Sequence, residues 1–581
     1  MSKEFQVSGS NQKALFILNI FRGDGMALLG MNWENGRPPK DFVGFAIEFK
    51  EPKATKFQAV RNRIAFPGAD GSVNSKTLSS RLSPIQKFRW VIFPHNAELP
   101  GKFTYKVTPV FMDKNDQLSY GEPQQASIAL MRETYPGKLN VAFTRGFISS
   151  QAFVDRFEKG GGVKTLLPAK SAQGLTFKPS HPKAVQALDW MGFEARSAIL
   201  EVLDEAIADK TAQVRVVLYD LNEPGIVSRL EKLGSRLKVI IDNDGAHKPS
   251  TSPESIAAKR LAKTAGKENV KRQHMGKLQH NKVVVVDGKV KAAVCGSTNH
   301  SWRGFFVQNN NAIILRGNSP VKLFNQAFED YWNNKKDSVE DFAGKTSAQW
   351  KDLGLKGIDA QIGFSPRAKK NAALQAIADD IEKTSSNLFF SLAFLFQTPG
   401  AIQNAIKKLK KDTKIFCYGI SDHQVKGLNG RVKTSGIDLQ KPDGSINVLR
   451  PEALVKNVPQ PFKSEPTGGG GTRMHHKFVV IDFNKPTARV YMGSYNFSVA
   501  ADSSNGENLL CIKDRRVATS YVVEAVRLFD HYHFRVAQME AKDKQKNLQL
   551  AKPPRNGENP WWLKDYTDVR RILDRKLFGG T

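Results

Sequence analysis

The stretch that decides the fold covers residues 280–299 and reads HNKVVVVDGKVKAAVCGSTN. A second copy covers residues 475–496 and reads HHKFVVIDFNKPTARVYMGSYN. Both copies have the form H-x-K-x4-D, followed by a second apolar run and then G-S-x-N. Since two copies of so long a pattern rarely arise by chance, the repeat indicates a duplicated unit with one shared function.

Each copy predicts a buried strand with polar side chains at one end. Residues 283–286 are all valine, as expected for a strand that is covered on both faces. His280 and Lys282 lie two positions apart, so their side chains share one face of the strand. Asp287 falls at the opposite parity or in the following turn, which indicates a supporting role.

The G-S-x-N segments add a second pair of polar side chains to each copy. Ser297 and Asn299 are also two positions apart and follow the next predicted strand. The second copy repeats the five polar positions of the first, as His475, Lys477, Asp482, Ser494 and Asn496. Together the copies predict a polar cluster at the ends of neighbouring strands.

The paired motifs resemble those of the phospholipase D superfamily, in which H-x-K-x4-D with G-S-x-N is the diagnostic signature. The resemblance covers residues 180–540 and is that of a bacterial-type member with an additional N-terminal β-domain. It implies an α/β fold in which two αβα sandwich halves, related by a pseudo-twofold axis, meet at one active site. It also implies a metal-independent, two-step reaction at a phosphodiester, through a phosphohistidine intermediate.

The resemblance assigns roles to the motif residues. It assigns catalytic roles to His280, Lys282, Asp287, His475, Lys477 and Asp482. It assigns the binding of the substrate phosphate to Ser297, Asn299, Ser494 and Asn496. Family precedent favours His280 as the nucleophile and His475 as the acid that protonates the leaving oxygen.

An acidic residue after the second motif resembles the family partner that orients a catalytic histidine. This residue is Glu507, eleven positions after Asn496. The matching position in the first copy is Asn310, which departs from the family pattern. The departure predicts that one of the two histidines lacks a carboxylate partner.

The residue types themselves agree with phosphoryl transfer. That reaction requires positive charge near the non-bridging oxygens, a nucleophile and an in-line acid. Two lysines supply the charge, and two histidines, which titrate near neutral pH, supply the other two groups. No cysteine or carboxylate cluster with metal-ligand spacing accompanies the motifs, so we predict no metal and no other cofactor.

The charge of the chain predicts polyanionic partners. Its 581 residues include 87 Lys and Arg against 56 Asp and Glu, a net charge of +31. Residues 257–277, just before the first motif, are rich in Lys and Arg and are predicted to border the cleft. Nucleic acid or anionic phospholipid is therefore the expected substrate.

Three hypotheses about function remain open at this stage. The first is a nuclease, which the net charge favours. The alternative is a phospholipase D that hydrolyses or transfers phospholipid head groups. The third is an inactive protein that binds nucleic acid or a membrane, which the complete motifs disfavour.

Composition shifts divide the chain into four predicted regions. Residues 1–135 read as a β-sandwich of immunoglobulin or fibronectin type, with strands near residues 14–20, 43–49, 88–93 and 100–113. Residues 136–340 and 341–545 read as the two phospholipase D-like halves, each with a strand–helix–strand unit. Residues 546–581 read as a basic tail packed on the core.

The N-terminal residues, the apolar runs and the cysteines predict the location of the protein, and the two motifs predict its assembly. The first ten residues lack the apolar segment of a signal peptide, and no apolar run is long enough to span a bilayer. Three cysteines in apolar runs predict no disulfide framework. We therefore predict a cytoplasmic protein, or one exported without a signal peptide. We expect a monomer because both motifs lie in one chain.

The insert at residues 419–473, with a tetraglycine at 468–471, precedes the second motif.

Overall fold

The computed structural model describes residues 4–68, 78–94, 96–146, 153, 156–421, 425, 437–440, 446–449, 474–543 and 548–580. The tetraglycine at 468–471 lies outside these residues. Within them the chain has a mixed α/β fold built on four sheets. No helix in this described part is both long enough and apolar enough to cross a membrane.

The N-terminal region forms two antiparallel sheets. Its strands are β1 (Gln6–Ser8), β2 (Phe16–Arg22), β3 (Ala27–Trp33), β4 (Phe42–Lys50), β5 (Gln58–Ala59), β6 (Arg89–Ile92), β7 (Lys102–Met112), β8 (Leu118–Tyr120) and β9 (Gln124–Ala129). One sheet has the order β1-β2-β3-β6, and the other has β5-β4-β7-β8 with β9 paired to β7. The four strands predicted in this region are thereby confirmed.

Aromatic side chains fill the space between these two sheets. Phe16 of β2 and Phe45 of β4 lie with ring centroids 5.1 Å apart, and both rings are fully buried. Phe103 and Tyr105 of β7 belong to the same apolar cluster. An immunoglobulin or fibronectin topology for this pair of sheets remains a prediction.

The first motif lies in a seven-stranded sheet of order β10-β16-β15-β14-β11-β12-β13. Its elements in chain order are β10 (Leu139–Phe143), α1 (Val163–Leu166), α2 (Ala184–Ala208), β11 (Gln213–Leu218), α3 (Pro224–Leu233), β12 (Leu237–Asp242), α4 (Pro253–Ala265), β13 (Val270–Gln273), β14 (Lys282–Asp287), β15 (Lys291–Gly296), α5 (Trp302–Phe306), β16 (Asn311–Arg316), α6 (Asn318–Trp332) and α7 (Val339–Ala343). The predicted strand–helix–strand unit is confirmed as β11, α3 and β12. Helix α3 begins here because the Glu223 carboxylate accepts a hydrogen bond from the Ile226 N–H and Pro224 occupies the first turn.

The second motif lies in a nine-stranded sheet of order β17-β18-β25-β24-β23-β19-β20-β21-β22. Its elements in chain order are β17 (Lys351–Asp352), β18 (Asp359–Ser365), α8 (Ala372–Glu382), β19 (Asn387–Leu392), α9 (Ala401–Leu409), β20 (Phe416–Ser421), β21 (Ile437–Gln440), β22 (Ile446–Leu449), β23 (Lys477–Ile481), β24 (Arg489–Gly493), α10 (Val499–Ser503), β25 (Glu507–Lys513) and α11 (Arg515–Asp543). Strands β14 and β23, which carry the two motifs, occupy the same place in the two sheets. Each lies between a strand that follows it in the chain and the first strand of a parallel pair.

The two motif sheets share one apolar core. The cluster includes Val285 of β14 and Val480 of β23, together with Tyr521 and Val526 of α11. These positions are fully buried. Helix α11 contacts strands of both sheets, so it packs between the two halves rather than on one of them.

The C-terminal tail packs between the N-terminal sheets and the second motif sheet. It forms α12 (Leu563–Thr567) and α13 (Val569–Gly579). Trp561 stacks on Phe88 with centroids 5.4 Å apart and donates a hydrogen bond to the Phe42 carbonyl. Phe578 is fully buried and stacks on Phe483, with centroids 5.8 Å apart. The tail is therefore an integral part of the core.

Replacing Phe578 with alanine tests the contribution of this tail to stability. Phe578→Ala should lower the free energy of unfolding by about 3–5 kcal/mol, since it removes a buried ring and leaves a cavity. Val569→Ala on the same helix should cost less than about 0.5 kcal/mol, because Val569 is exposed. Urea denaturation followed by circular dichroism measures both. Equal losses in the two variants would contradict tail packing.

Candidate active site

The two motifs meet where the strand ends of the two motif sheets face each other. Gln279 forms a parallel β-bridge with Gly506, and Asn309 forms one with Met474. The Gly506 N–H donates to the Leu278 carbonyl at 2.8 Å. Each motif histidine is therefore next to the segment that follows the other motif's G-S-x-N.

His280 is held by a carboxylate from the other half. Its Nδ1 lies 2.8 Å from Oε2 of Glu507. The same carboxylate accepts hydrogen bonds from Ser494 Oγ at 2.6 Å and from Asn505 Nδ2 at 3.1 Å. Because Nδ1 is occupied, the imidazole presents Nε2 to a substrate.

His475 is held in the corresponding way by an amide. Its Nδ1 lies 2.8 Å from Oδ1 of Asn310, which also accepts a hydrogen bond from Ser297 Oγ at 2.9 Å. Asn310 is thus the counterpart of Glu507, as its position in the sequence suggests. The partner of His475 from the other half is therefore neutral, and Lys477 Nζ of its own strand lies 3.0 Å from its Nε2.

The two motif lysines lie beneath the histidines and are almost fully buried. Lys282 Nζ donates to the His280 carbonyl, and Lys477 Nζ donates to the His475 carbonyl at 3.0 Å. Burial lowers the pKa of Lys282 to about 8, although Glu507 attracts its charge. Burial and the repulsion of Lys282 lower the pKa of Lys477 well below its usual range.

Both histidines have pKa values below the ordinary one. Burial lowers the pKa of His280, which Glu507 counteracts in part. Burial and the neighbouring cations Lys477 and Lys282 lower the pKa of His475 much further. Although burial raises the pKa of Glu507, its interactions with His280 and Lys282 outweigh burial and hold the carboxyl ionised. Because burial and mutual repulsion disfavour the cationic forms of the two histidines and Lys477, an anion bound among them would be stabilised by their protonation.

The G-S-x-N residues divide into two roles. Ser297 and Ser494 use their hydroxyl hydrogens on Asn310 and Glu507, so the structure gives them support of the histidine partners rather than phosphate contact. The Oδ1 atoms of Asn299 and Asn496 are buried and have no hydrogen-bond partner within the described residues. Each asparagine can turn its amide toward a phosphate oxygen.

The motif aspartates lie away from the histidines, so the structure does not place them as catalytic groups. Asp287 ends β14, about 17 Å along the strand from Lys282 at roughly 3.3 Å per residue. Its half-exposed carboxylate pairs with Lys291 and accepts from Asn325 Nδ2 at 2.9 Å. Asp482 is buried and accepts hydrogen bonds from the backbone N–H groups of residues 385–387 at 2.7–3.2 Å.

The basic segment at residues 257–277 contributes less to the cleft than the sequence predicts. Arg260 forms a bidentate ion pair with Glu231 at 2.8 Å. Lys271 Nζ donates to backbone carbonyls at the end of α6, and Arg272 donates to the Asp242 and His247 carbonyls. These cations are engaged within the protein, whereas the other lysines of the segment are exposed.

A hydrogen-bonded network of side chains lies next to His280, and no sequence motif indicated it. The Tyr219 ring lies between His280 and His247, at centroid distances of 4.7 Å and 4.5 Å. His247 Nδ1 lies 2.8 Å from Asp242, and its Nε2 lies 3.1 Å from Asp220. Asp242 also accepts a hydrogen bond from the Gln279 N–H at 2.6 Å, so the network fixes the backbone before His280.

This network contains a group of possible metal ligands. Asp220, His247 and Glu254 have ligand atoms within 4.8 Å of one another. Burial lowers the pKa of His247, but its hydrogen bonds to Asp220 and Asp242 raise it to about 10. The protonated imidazole therefore supplies the cation of this cluster, and we describe the cluster as an ion-pair network.

Adjacent side chains of an extended strand face opposite ways, so His476 faces away from His475. Its Nε2 lies 3.0 Å from the buried carboxylate of Glu524 on α11. Arg527, one turn later, pairs with the same carboxylate. This second histidine anchors the motif strand to α11.

Comparison with known proteins gives a family match. The family described as "Cardiolipin synthase, PLD-like domain" matches residues 195–332 and 378–529. These two segments contain both motifs together with strands β11–β16 and β19–β25.

Curated relatives match shorter segments. A phospholipase D of Rickettsia prowazekii is 46% identical over 133 residues, which are 21% of this chain and 57% of that protein. A phospholipase D of Rickettsia conorii is 25% identical over 29% of this chain and 85% of its own length. A mitochondrial cardiolipin hydrolase of Chlamydomonas reinhardtii is 29% identical over 30% of this chain and 75% of its own length.

Solved structures match at lower identity. A phosphatidylserine synthase from Haemophilus influenzae covers 67% of this chain and 93% of its own, with 14% identity and a TM-score of 0.36. The phospholipase D family member Nuc from Salmonella typhimurium covers 24% of this chain and 87% of its own, with 23% identity and a TM-score of 0.20.

The two motif aspartates should differ sharply in their effect on stability. Asp482→Ala should lower the free energy of unfolding by about 2–4 kcal/mol, since it leaves buried N–H groups at residues 385–387 without an acceptor. Asp287→Ala is the matched control and should cost less than about 1 kcal/mol, because its ion pair is solvent-screened. Urea denaturation measures both losses. A larger loss for Asp287→Ala would refute this assignment.

Proposed function

Because this chain belongs to the phospholipase D superfamily, we propose that it cleaves phosphodiesters without a metal, through a phosphohistidine intermediate. The chain is a phospholipase D-like phosphoric diester hydrolase at the level of its family. The observation that carries the finer proposal is the crosswise pairing of His280 with Glu507 and of His475 with Asn310. That pairing orients two imidazoles over two buried ammonium groups.

We also propose that the two motif halves are related by a pseudo-twofold axis. The strand series β10-β16-β15-β14-β11-β12 corresponds in order to β18-β25-β24-β23-β19-β20. The reciprocal bridges at Gly506 and Asn309 support the same relation. On this basis the domains remain residues 1–135, 136–340, 341–545 and 546–581, and one copy of the chain contains a complete site.

In the first step His280 Nε2 attacks the phosphorus. Glu507 keeps the proton on Nδ1, so that Nε2 carries the lone pair, and it stabilises the positive charge that develops on the ring. The bond from phosphorus to the leaving oxygen breaks as the nitrogen–phosphorus bond forms. His475 donates a proton to that oxygen, so the alcohol leaves neutral.

In the second step His475, now neutral, accepts a proton from water. The resulting oxygen nucleophile attacks phosphorus, and the nitrogen–phosphorus bond breaks with its electron pair returning to His280. Lys282 and Lys477 balance the charge on the non-bridging oxygens in both steps, and the amides of Asn299 and Asn496 can donate to the same oxygens. An alcohol in place of water gives transfer rather than hydrolysis.

The difference between the two partners favours His280 as the nucleophile. Glu507 is ionised and attracts the cationic ring of a phosphohistidine, whereas Asn310 offers only a dipole. His475, which lacks a carboxylate and lies next to Lys477, is a stronger acid once protonated. A strong acid suits the group that protonates a leaving oxygen.

Nucleic acid is the substrate that we propose first, because a net charge of +31 favours a polyanion. Phospholipid is the second candidate. It is favoured by the relatives named phospholipase D and cardiolipin hydrolase and by the apolar Phe394 beside His475. Both candidate substrates would undergo the same cleavage, and they differ in the two groups that are esterified to the phosphorus.

Replacing either catalytic histidine tests the mechanism. His280→Ala and His475→Ala should each lower kcat/KM for bis(p-nitrophenyl) phosphate by at least about a thousandfold. His274→Ala is the control, since His274 is half-exposed and lies outside the site. EDTA should leave the wild-type rate unchanged.

The same variants identify the substrate when single-stranded DNA, double-stranded DNA, RNA and phosphatidylcholine vesicles are assayed in parallel. Nuclease activity that is lost in His280→Ala, and that falls steeply with salt, supports the first candidate. Head-group release from vesicles supports the second. Full activity in His280→Ala, or loss in EDTA that a divalent ion restores, would refute the mechanism.

The pH profile should report the two lowered histidine pKa values. Since the nucleophile acts neutral and the acid acts protonated, the maximum of kcat/KM should lie below about pH 6.5. Asn310→Asp places a carboxylate against His475 Nδ1 and raises the pKa of that imidazole. Because the pKa of His475 lies below that of His280, His475 sets the acid limb of the profile, so the substitution should move this limb to higher pH and raise the maximum of kcat/KM. Profiles of both proteins with bis(p-nitrophenyl) phosphate measure the shift. An unmoved acid limb, or a shift without a higher maximum, would contradict the assignment of His475 as the acid.

A further inference from the structure

The two walls of the cleft differ in chemistry at matching positions. Leu218 of β11 pairs with Lys282, and Leu392 of β19 pairs with Lys477. The next two residues in the first half are Tyr219 and Asp220, where the second half has alanine and Phe394. The duplicated sheet thus offers an acidic group on one side of the phosphate site and an apolar ring on the other.

The acidic wall is held rigidly but keeps an accessible carboxylate. One oxygen of Asp220 lies 3.1 Å from His247 Nε2, and the side chain is 22% exposed. His247 is fixed in turn by Asp242, which also binds the backbone before His280. Asp220 is near enough to both motif lysines to favour their charged forms.

The carboxylates of the network outnumber its imidazolium. Although burial raises the pKa of Asp220, His247, Lys282 and Arg303 hold it below its usual range, so this carboxylate is ionised. Three carboxylates, those of Asp220, Asp242 and Glu254, surround the single imidazolium of His247. Arg272 adds one guanidinium, which binds backbone carbonyls of the network. A carboxylate can only accept hydrogen bonds, so this wall selects a group that donates them.

The opposite wall is apolar. The Phe394 ring lies with its centroid 5.9 Å from the His475 ring and 5.6 Å from Lys477 Nζ. It is partly exposed, and its neighbour Leu395 is buried. An alkyl or aromatic group can pack on this ring, whereas a charged group would lose hydration there.

We propose that Asp220, anchored by His247, forms a subsite for one ester arm of the substrate, an arm that carries an ammonium or hydroxyl group, and that Phe394 receives the other arm. This inference rests on the proposed phosphodiesterase function and narrows its substrate to diesters with two unlike arms. An ammonium binds most strongly, because its hydrogen bond to Asp220 is charge-assisted. Ethanolamine head groups and ribose hydroxyls are two sources of the same chemistry.

Matched dialkyl phosphates test the subsite. We compare 2-aminoethyl ethyl phosphate, 2-hydroxyethyl ethyl phosphate and propyl ethyl phosphate as competitors of bis(p-nitrophenyl) phosphate. The aminoethyl and propyl groups have nearly the same shape and differ in their ability to donate. Either arm can occupy either wall, so the comparison does not depend on which arm leaves.

In the wild type, the inhibition constant of the aminoethyl compound should be at least about tenfold lower than that of the propyl compound, with the hydroxyethyl compound between them. In Asp220→Asn this ratio should fall by about tenfold, since the amide lacks the charge that attracts an ammonium. Phe394→Leu is the matched control from the other wall and should leave the ratio within about twofold. Thermal melts check the fold of each variant.

A wild-type ratio near one would overturn the proposal without any variant, as would a ratio that Asp220→Asn leaves unchanged. If the wild type does not cleave bis(p-nitrophenyl) phosphate, the proposed function fails. The subsite is then tested by calorimetric binding of the same three compounds. Glycerophosphoethanolamine and a diribonucleoside monophosphate distinguish the sources: the one whose affinity falls more in Asp220→Asn identifies the natural arm.

Discussion

The hydrogen bonds that cross between the halves are the constraint on which this site depends. His280 is oriented by Glu507, more than two hundred positions later in the chain, and His475 is oriented by Asn310 in the same reciprocal manner. Neither His280 nor His475 finds this partner in its own half. A working site therefore requires both halves in register, which the shared core and α11 provide.

Electrostatics explain why such a site favours a phosphodiester. Two ammonium groups and two imidazoles are buried around one ionised carboxylate, Glu507. Burial disfavours their charged forms in the free protein, which is the first cause of the lowered pKa values of His475 and Lys477. A bound phosphate supplies the missing negative charge and favours protonation of these groups. The binding of an anion thus favours the protonated form of the histidine that we propose as the acid.

Several motif residues act on the scaffold rather than on the substrate. Asp482 holds the start of β19, and the two motif serines hold the partners of the histidines. His476 connects the motif strand to α11 through Glu524. Such contacts fix the positions of the two imidazoles. Their positions matter because a ring that is misplaced by about 1 Å loses a large part of the reaction rate. The duplicated sequence also allows the two walls to diverge, as Asp220 and Phe394 show, without disturbing this support.

The sequence by itself determined the strands and the polar ends of the motifs. Alternation and apolar runs identify β11, β14 and their repeats because each strand is buried by its own local pattern. The pairing of each imidazole with a lysine two positions later follows from strand geometry alone. The family resemblance supplied Glu507 and Asn310 as special positions, but not which histidine each would meet.

Only the tertiary structure decided the contacts between residues that are distant in the chain. Register across the two sheets sets His280 against Glu507, and no local pattern encodes that register. The network of Tyr219, Asp220 and His247 has no spacing that a motif would reveal, since its members come from the segments that follow β11 and β12. The same holds for Arg260 and Arg272, which composition counts as free surface charge, whereas the fold pairs Arg260 with Glu231 and sets Arg272 against backbone carbonyls. Local sequence specifies which elements form, whereas side-chain chemistry at the site arises from how those elements pack.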